Sequence, residues 1–183
     1  MKSPRFILAI GLACCALFTS AACLAQSKAA IDASVQKAAQ QFNLLDPRDA
    51  DLISRAAGVL IFPQVTKGGV ALAAAYGEGV LQIKGATVGY YSLASASVGL
   101  TAGMATHSEM ILFMTQRALD TFLQSRGWSI GAETGIALIS KGSAGDYDSN
   151  TLKKPILGFV FGEKGVMADL SFEGSKINKI EKK

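Results

Sequence analysis

The pattern of apolar and polar positions changes its period about a third of the way along this chain. Residues 27–43 carry apolar side chains at helical spacing opposite a polar face, and Ser27 is suited to cap the first turn. Residues 46–56 open with Asp46 and Pro47, a pair typical of a helix start. The rest of the chain consists mainly of short β-branched and apolar runs separated by glycines, which predicts strands.

Turn residues divide the strand-forming part into short segments. Pro63 is expected to end the first strand, Lys67 to lie in the loop that follows, and Tyr76-Gly77 to form a hairpin or a bulge. Lys84-Gly85 is expected to form the next turn. Strands are predicted over residues 59–62, 69–75, 78–83, 86–91, 95–103, 109–114, 128–140, 155–161 and 166–172, with a hairpin at 162–165 and a short edge after 175.

One helix is predicted within this series of strands, over residues 115–126 with Thr115 as its cap. No linker-like stretch divides the part of the chain that follows residue 25, which is expected to form a single domain over residues 26–183. The predicted class is α+β, with N-terminal helices followed by a strongly curved, mostly antiparallel β-sheet or barrel that contains one inserted helix.

The first 25 residues have the layout of a secretory signal peptide. Lys2 and Arg5 precede an apolar run over residues 6–18, and small residues follow it. Cleavage after residue 25 predicts an exported, periplasmic protein that begins at Gln26. Cleavage before Cys23 predicts instead a lipoprotein of the outer membrane, with lipid attached to that cysteine.

Composition narrows the classes of function further. The three cysteines all lie within or beside the predicted signal segment, so no disulfide framework and no thiolate metal site are expected in the domain. The formal net charge of +4 decreases once Lys2 and Arg5 are removed with that segment. This mild charge does not resemble the electrostatic footprint of a nucleic-acid-binding protein, so no nucleic acid is expected as a partner.

The sequence offers little catalytic chemistry. His107 is the only histidine, it is expected to end a strand, and no Gly-x-Ser-x-Gly motif accompanies it. Residues 146–150 have the alternating oxygen ligands of a calcium loop without its central glycine or closing glutamate. Phosphate-binding glycine motifs are also absent from the sequence. We therefore expect no enzyme, no cofactor and no metal, and a hydrolase that uses His107 is the alternative with the least support.

Glu78 lies between two glycines inside an apolar block. A carboxylate in such a setting either faces water at a turn or has a partner inside the fold. The sequence alone leaves both alternatives open.

Several of these segments together resemble the SYLF domain, also called the Ysc84 domain, in its bacterial secreted branch. They are residues 58–63 (GVLIFP), 76–80 (YGEGV), 97–100 (SVGL), 112–115 (LFMT) and 169–175 (DLSFEGS). The resemblance implies a non-catalytic protein that binds anionic lipid or a membrane surface, with phosphoinositide-like headgroups as one class of ligand. Actin binding, which some eukaryotic members have, is not expected to transfer to this chain.

The resemblance also implies that the amphipathic segment 27–43 takes part in lipid contact, with Lys28 and Lys37 as its cations. Lys67 and Lys84 are added as candidate lipid-binding residues because both are expected in exposed turns. The alternative from another class is a structural or protein-interaction module of the cell envelope, such as an adaptor or a surface antigen, whose partner would be an envelope protein.

Overall fold

The computed structural model describes residues 26–131, 135–140, 150–166 and 174–182. Two helices come first, α1 (Lys28–Leu45) and α2 (Pro47–Arg55). The Ser27 hydroxyl accepts a hydrogen bond from the Ala30 backbone N–H, and the Asp46 carboxylate accepts one from the Arg48 N–H. Both predicted N-caps are therefore confirmed, because each supplies an acceptor for the otherwise unpaired amides of a first helical turn.

A single long hairpin forms the centre of the fold. Strand β1 (Gly58–Ile83) pairs antiparallel with β2 (Ala86–Phe113), with register shifts after Phe62, Val70 and Leu81. The turn between them is Lys84-Gly85, as predicted, and both residues have positive φ, 50° and 78°. Positive φ at two successive positions is the geometry of the tight turns that match the twist of a hairpin.

The remaining strands extend the sheet from β2. Strand β5 (Ile156–Val166) and strand β6 (Lys176–Ile180) pair antiparallel with different stretches of β2. The two-residue strand β3 (Trp128–Ser129) pairs with β6, and β4 (Ile136–Ser140) pairs parallel with β5. The described strands thus form one mixed, mostly antiparallel sheet, and it is strongly curled into a half-barrel, which confirms the predicted fold class.

The curl brings β1 close to itself. A Cβ atom placed on Gly79 would lie 2.1 Å from the carbonyl oxygen of Ile61, and one placed on Gly77 would lie 2.9 Å from that of Gln64. Real side chains do not tolerate such distances, so only glycine permits this approach. We call the face of the sheet that closes on itself in this way the inner face.

Each face of the sheet has its own apolar core. The inner core is covered by α3 (Gln116–Gln124), whose cap is Thr115 as predicted, and it includes Phe113, Phe122 and Trp128. The outer core is covered by α1 and α2, and there the ring of Phe42 lies 4.9 Å from that of Phe159. Alternation along β2 divides the side chains between the two cores, as expected for a strand that is buried on both faces.

Several predicted boundaries are wrong, because strands continue where turns were expected. Strand β1 runs through Pro63 and through Tyr76-Gly77, and β5 runs through residues 162–165. The single strand expected over residues 128–140 is represented by β3 and β4, two separate strands. Proline and glycine residues lie inside long, curved strands here and do not end them. A register shift next to Pro63 accommodates the absence of its backbone N–H.

The predicted signal segment and Cys23 lie outside the described residues, as do residues 146–149 of the segment 146–150 with its calcium-like spacing. Within the described residues, no helix has the length and apolar character needed to cross a membrane.

Replacing Gly79 by alanine is expected to destabilise the fold by about 3 kcal/mol, because the new methyl group would collide with the backbone at Ile61. The matched control is Gly68→Ala on the same strand, where the nearest atom would be 3.7 Å away in ordinary contact. Urea denaturation of both variants gives the free energies of unfolding. Equal stabilities of the two variants would contradict the close approach described above.

Candidate functional site

Two of the predicted lipid-binding lysines lie on the exposed side of α1. Val35 and Ala38 are buried against the sheet, which leaves Lys37 facing solvent. Lys28 is also exposed, and its Nζ lies 5.9 Å from the centre of the Tyr90 ring. The buried apolar side chains of α1 thus belong to the outer core, and its exposed side carries both lysines, whereas Leu44 and Leu45 are exposed at its C-terminal end.

Tyr90 fixes the start of α1 against β2. Its hydroxyl donates to the two carboxylate oxygens of Asp32, at 3.2 and 3.0 Å. Burial, together with the hydrogen bond to Asp32, raises the pKa of the Tyr90 phenol. The phenol therefore keeps its proton and remains a donor, and Lys28 is positioned beside a rigid ring.

The other two predicted lysines have different environments. Lys84 is exposed at the tip of the β1–β2 hairpin, as expected for a turn residue. Lys67 is only 5% exposed and belongs to β1, so the expectation that it lies in an exposed loop is wrong. Successive side chains of a strand point to opposite faces, and Thr66 is exposed. Lys67 therefore lies on the inner face, as Val65 does. A buried cation of this kind is poorly suited to contact a lipid surface.

Lys67 belongs to a buried polar group on the inner face, together with His107 and Glu109. His107 Nε2 and Glu109 Oε1 are 2.7 Å apart, and both side chains are 4% exposed. His107 lies inside β2 opposite Val65, so the expectation that it ends a strand is wrong. Neither His107 Nδ1 nor Glu109 Oε2 has a hydrogen-bond partner within the described part of the chain.

Burial raises the pKa of Glu109, and the neighbouring His107 and Lys67 act in the opposite direction. A carboxylate taken out of water is costly unless charge and hydrogen bonds compensate it, and here only one of its two oxygens is bonded. This group of residues is consequently sensitive to protonation.

His107, Ser108 and Glu109 are consecutive in the sequence, but they do not form a nucleophilic triad. Strand alternation directs Ser108 to the face opposite His107 and Glu109, and its hydroxyl donates to the Pro63 carbonyl at 2.8 Å. Among the described residues there is also no group of three or more His, Cys, Asp or Glu side chains that could hold a metal ion.

Glu78 has partners, which decides between the two alternatives that the sequence left open. Its Oε1 accepts a hydrogen bond from the Tyr76 hydroxyl at 3.0 Å, and its Oε2 lies 2.7 Å from Lys182 Nζ. The side chains of Glu78 and Lys182 are 9% and 8% exposed. This pair joins the residues after β6 to β1 near the hairpin turn, and the glycines on either side of Glu78 serve the close approach of β1 to itself.

An exposed apolar surface beside that pair was not foreseen from the sequence. It consists of Val70, Leu72, Tyr76 and Met104, which are 78%, 61%, 44% and 69% exposed. Met104 is the register partner of Gly68, and strand alternation directs these side chains to the outer face, beyond the part covered by α1. We call these four residues the apolar strip. The signal in the sequence is the charge-free stretch of residues 68–77, where a strand is predicted over 69–75 and a hairpin or a bulge at Tyr76-Gly77.

Comparison with known families gives one match. Residues 94–183 match the family model Ysc84, described as Las17-binding protein actin regulator. The motifs at residues 97–100, 112–115 and 169–175 fall within the matched range, whereas those at 58–63 and 76–80 precede it. A search of curated proteins found no match. The Ysc84 (SYLF) domain indicated by the motifs is thereby confirmed over residues 94–183.

The Glu109→Gln variant is expected to change how stability depends on pH. Because the pKa of Glu109 is raised above its ordinary value of 4.5, the folded protein retains a proton that the unfolded chain releases. This contribution is fully present below the unfolded value and is lost as the pH rises through the raised one. The free energy of unfolding of the wild type, minus that of the variant, should therefore be largest in acid and decrease towards neutral pH.

Urea denaturation between about pH 4.5 and pH 8 measures this difference, since the titrations of groups remote from residue 109 are common to both proteins and cancel. Glu163→Gln, at an exposed position of β5, is the control and should show no such trend. A difference between wild type and Glu109→Gln that stays constant with pH would contradict the prediction.

Proposed function

This chain belongs to the Ysc84 family through residues 94–183, and from that membership we propose that it is a non-catalytic module that binds anionic lipid at a membrane surface. Domains of this family are known for binding lipid or actin-related partners. Lipid is the partner class that the exposed chemistry of this chain suits best.

The apolar strip is the observation that carries the proposal. Exposed large apolar side chains on soluble domains are usually scattered singly, whereas here four lie along one face of one hairpin. Each side chain that leaves water for the interface of a bilayer contributes favourable free energy in proportion to its apolar area. Tyr76 has the amphipathic ring that prefers the level of the headgroups, and its hydroxyl is already bonded to Glu78.

Exposed lysines favour the same surface as the apolar strip for contact with an anionic membrane. Lys28 and Lys37 are exposed on α1, which covers the face of the sheet on which the apolar strip lies. Lys84 adds a third exposed cation at the hairpin tip. Each cation close to an anionic leaflet is worth about 1 kcal/mol, so two or three of them supply a measurable preference for anionic lipid.

The proposed setting is a cell envelope. The segment over residues 1–25 has the layout of a signal peptide, and a lipid on Cys23 would hold the domain beside a membrane and raise its local concentration there. Without such an anchor, the apolar strip and the lysines would provide reversible attachment of an exported protein.

Removing the apolar strip is expected to weaken membrane association. The double variant Leu72→Ser/Met104→Ser should bind vesicles about tenfold less tightly, since it removes two exposed apolar side chains and each tenfold corresponds to about 1.4 kcal/mol. Co-sedimentation with vesicles of phosphatidylglycerol and phosphatidylcholine measures this affinity. Leu123→Ser is the control, because Leu123 is 46% exposed and lies on α3, which covers the other face of the sheet.

The proposal fails if the purified wild type binds neither anionic nor neutral vesicles at low salt. It also fails if vesicle binding is unchanged in the double variant while an envelope protein is lost from pull-down, because that pattern favours the protein-interaction alternative.

Reversing the charge of the two α1 lysines tests the electrostatic part. Lys28→Glu/Lys37→Glu should weaken binding to anionic vesicles by at least about tenfold and leave the weaker binding to neutral vesicles unchanged. Lys153→Glu/Lys154→Glu is a matched control, since both lysines are exposed and lie outside α1 and the hairpin. Equal losses in the two double variants would show that net charge alone, rather than this surface, governs the attraction.

A further inference from the structure

A cleft opens on the other side of the molecule, at the end of the inner core. It lies between the first turns of α3, strand β3 with the residues after it, and the start of β5, and its volume is about 750 Å³. This volume falls within the range of sites that enclose small ligands. The side chains that matter for its chemistry are Thr115, Arg117, Thr121, Trp128, Ile130 and Ile156.

The floor of the cleft is apolar and rigid. Trp128, Ile130 and Ile156 are 9%, 2% and 6% exposed and belong to the inner core. The Trp128 ring is held by Phe122, at 5.4 Å in an edge-on arrangement, and by Phe113 at 5.9 Å. The cleft is therefore a preformed feature, since its floor consists of side chains that are packed on their other sides.

The rim of the cleft is polar and positive. Within the described part of the chain, the Arg117 guanidinium has no acidic partner, and no acidic side chain lines the cleft. The Thr115 hydroxyl caps α3 by accepting from the Ala118 N–H, and the Thr121 hydroxyl donates to the Arg117 carbonyl. Arg117 is thus an exposed cation at the positive end of a helix, beside an apolar floor.

The indole of Trp128 supplies an independent polar feature. The side chain is nine-tenths buried and lines the cleft, yet its N–H donates to no acceptor among the described residues. The indole nitrogen is not among the buried unpaired polar atoms of the described chain, so it reaches solvent, and this donor is available to a ligand that enters the cleft.

From this arrangement we propose that the cleft binds one molecule of a single-chain amphiphile with an anionic headgroup, a carboxylate or a phosphate monoester. The chain lies on Trp128, Ile130 and Ile156, and the headgroup pairs with Arg117. This site goes beyond the proposed surface binding, because the cleft opens from the inner core and the apolar strip lies on the outer face. It takes a single molecule rather than a bilayer surface.

Trp128 is the only tryptophan in the sequence, so its fluorescence reports on the cleft directly. The full chain is titrated with dodecanoate, with a lysophosphatidic acid and with dodecanol, each below its micelle concentration. We expect a saturable change in emission with one or both anionic compounds, and at least about tenfold weaker binding of the neutral alcohol. The two anionic compounds distinguish a carboxylate site from a phosphate site.

Arg117→Gln should weaken binding of the anionic compound at least about tenfold and leave dodecanol binding unchanged. Arg126→Gln is the matched control, since Arg126 is exposed near the far end of α3 and does not line the cleft. Ser129→Phe places a ring in the cleft from an exposed position of β3 and should abolish the emission change. Unchanged emission spectra of the unliganded Arg117 and Arg126 variants show that both have folded.

Two results would overturn the proposal. One is an emission change that does not saturate with either anionic compound. The other is equal affinity of Arg117→Gln and Arg126→Gln for the anionic compound. Vesicle co-sedimentation of Arg117→Gln separates this site from the proposed surface function, because vesicle binding should survive the loss of cleft binding. Loss of both in Arg117→Gln would also count against a separate site.

Discussion

The close approach of β1 to itself is the constraint on which the rest of this structure depends. Gly77 and Gly79 bring one part of β1 against the backbone of residues 61–64, and this is possible only because neither position carries a side chain. The approach rolls the hairpin, and β2 must follow because its register to β1 is maintained along almost its whole length. Strands β5 and β6 then attach to different stretches of a curved β2, and a flat sheet would not give them this arrangement.

The same curvature separates the two cores and thereby the two surfaces proposed to bind ligands. The inner core is enclosed by the rolled sheet and by α3, and the cleft occurs where that enclosure ends. The outer core is covered by α1 and α2 only over part of the hairpin. The remaining part carries the apolar strip, whose limit is marked by the Glu78–Lys182 pair. Exposure of the strip is thus a consequence of helices that are shorter than the hairpin they cover.

Local signals in the sequence were sufficient for the helices and for one turn. Ser27, Asp46 and Thr115 act on amides two or three residues away, and Lys84-Gly85 closes a turn by its own backbone conformation. Each of these effects requires no knowledge of the rest of the fold, which explains why the predicted caps, the turn and the α+β class were confirmed.

The continuity of the strands and the burial of charge depend on residues distant in sequence. Pro63 predicts a strand end, and only the pairing of β1 with β2 shows that an extra residue in β1 next to Pro63 accommodates it. Because lysines are rarely buried, the sequence predicts that Lys67 lies in an exposed loop. Only the pairing of β1 with β2 places it near His107 and Glu109. The cleft depends on three separate segments, so no local pattern could have indicated it.

Burying three ionisable side chains inside a binding module has a physical consequence for its specificity. An apolar replacement of comparable volume would avoid the desolvation cost of Lys67, His107 and Glu109. Their presence on the inner face means that the sheet there cannot be repacked without leaving a charge unpaired, which costs several kcal/mol. Such a group therefore restricts the hairpin to one register. Since the apolar strip and the cleft are held by the same hairpin and by elements that pack on it, a fixed register keeps both surfaces in the shape that their ligands require.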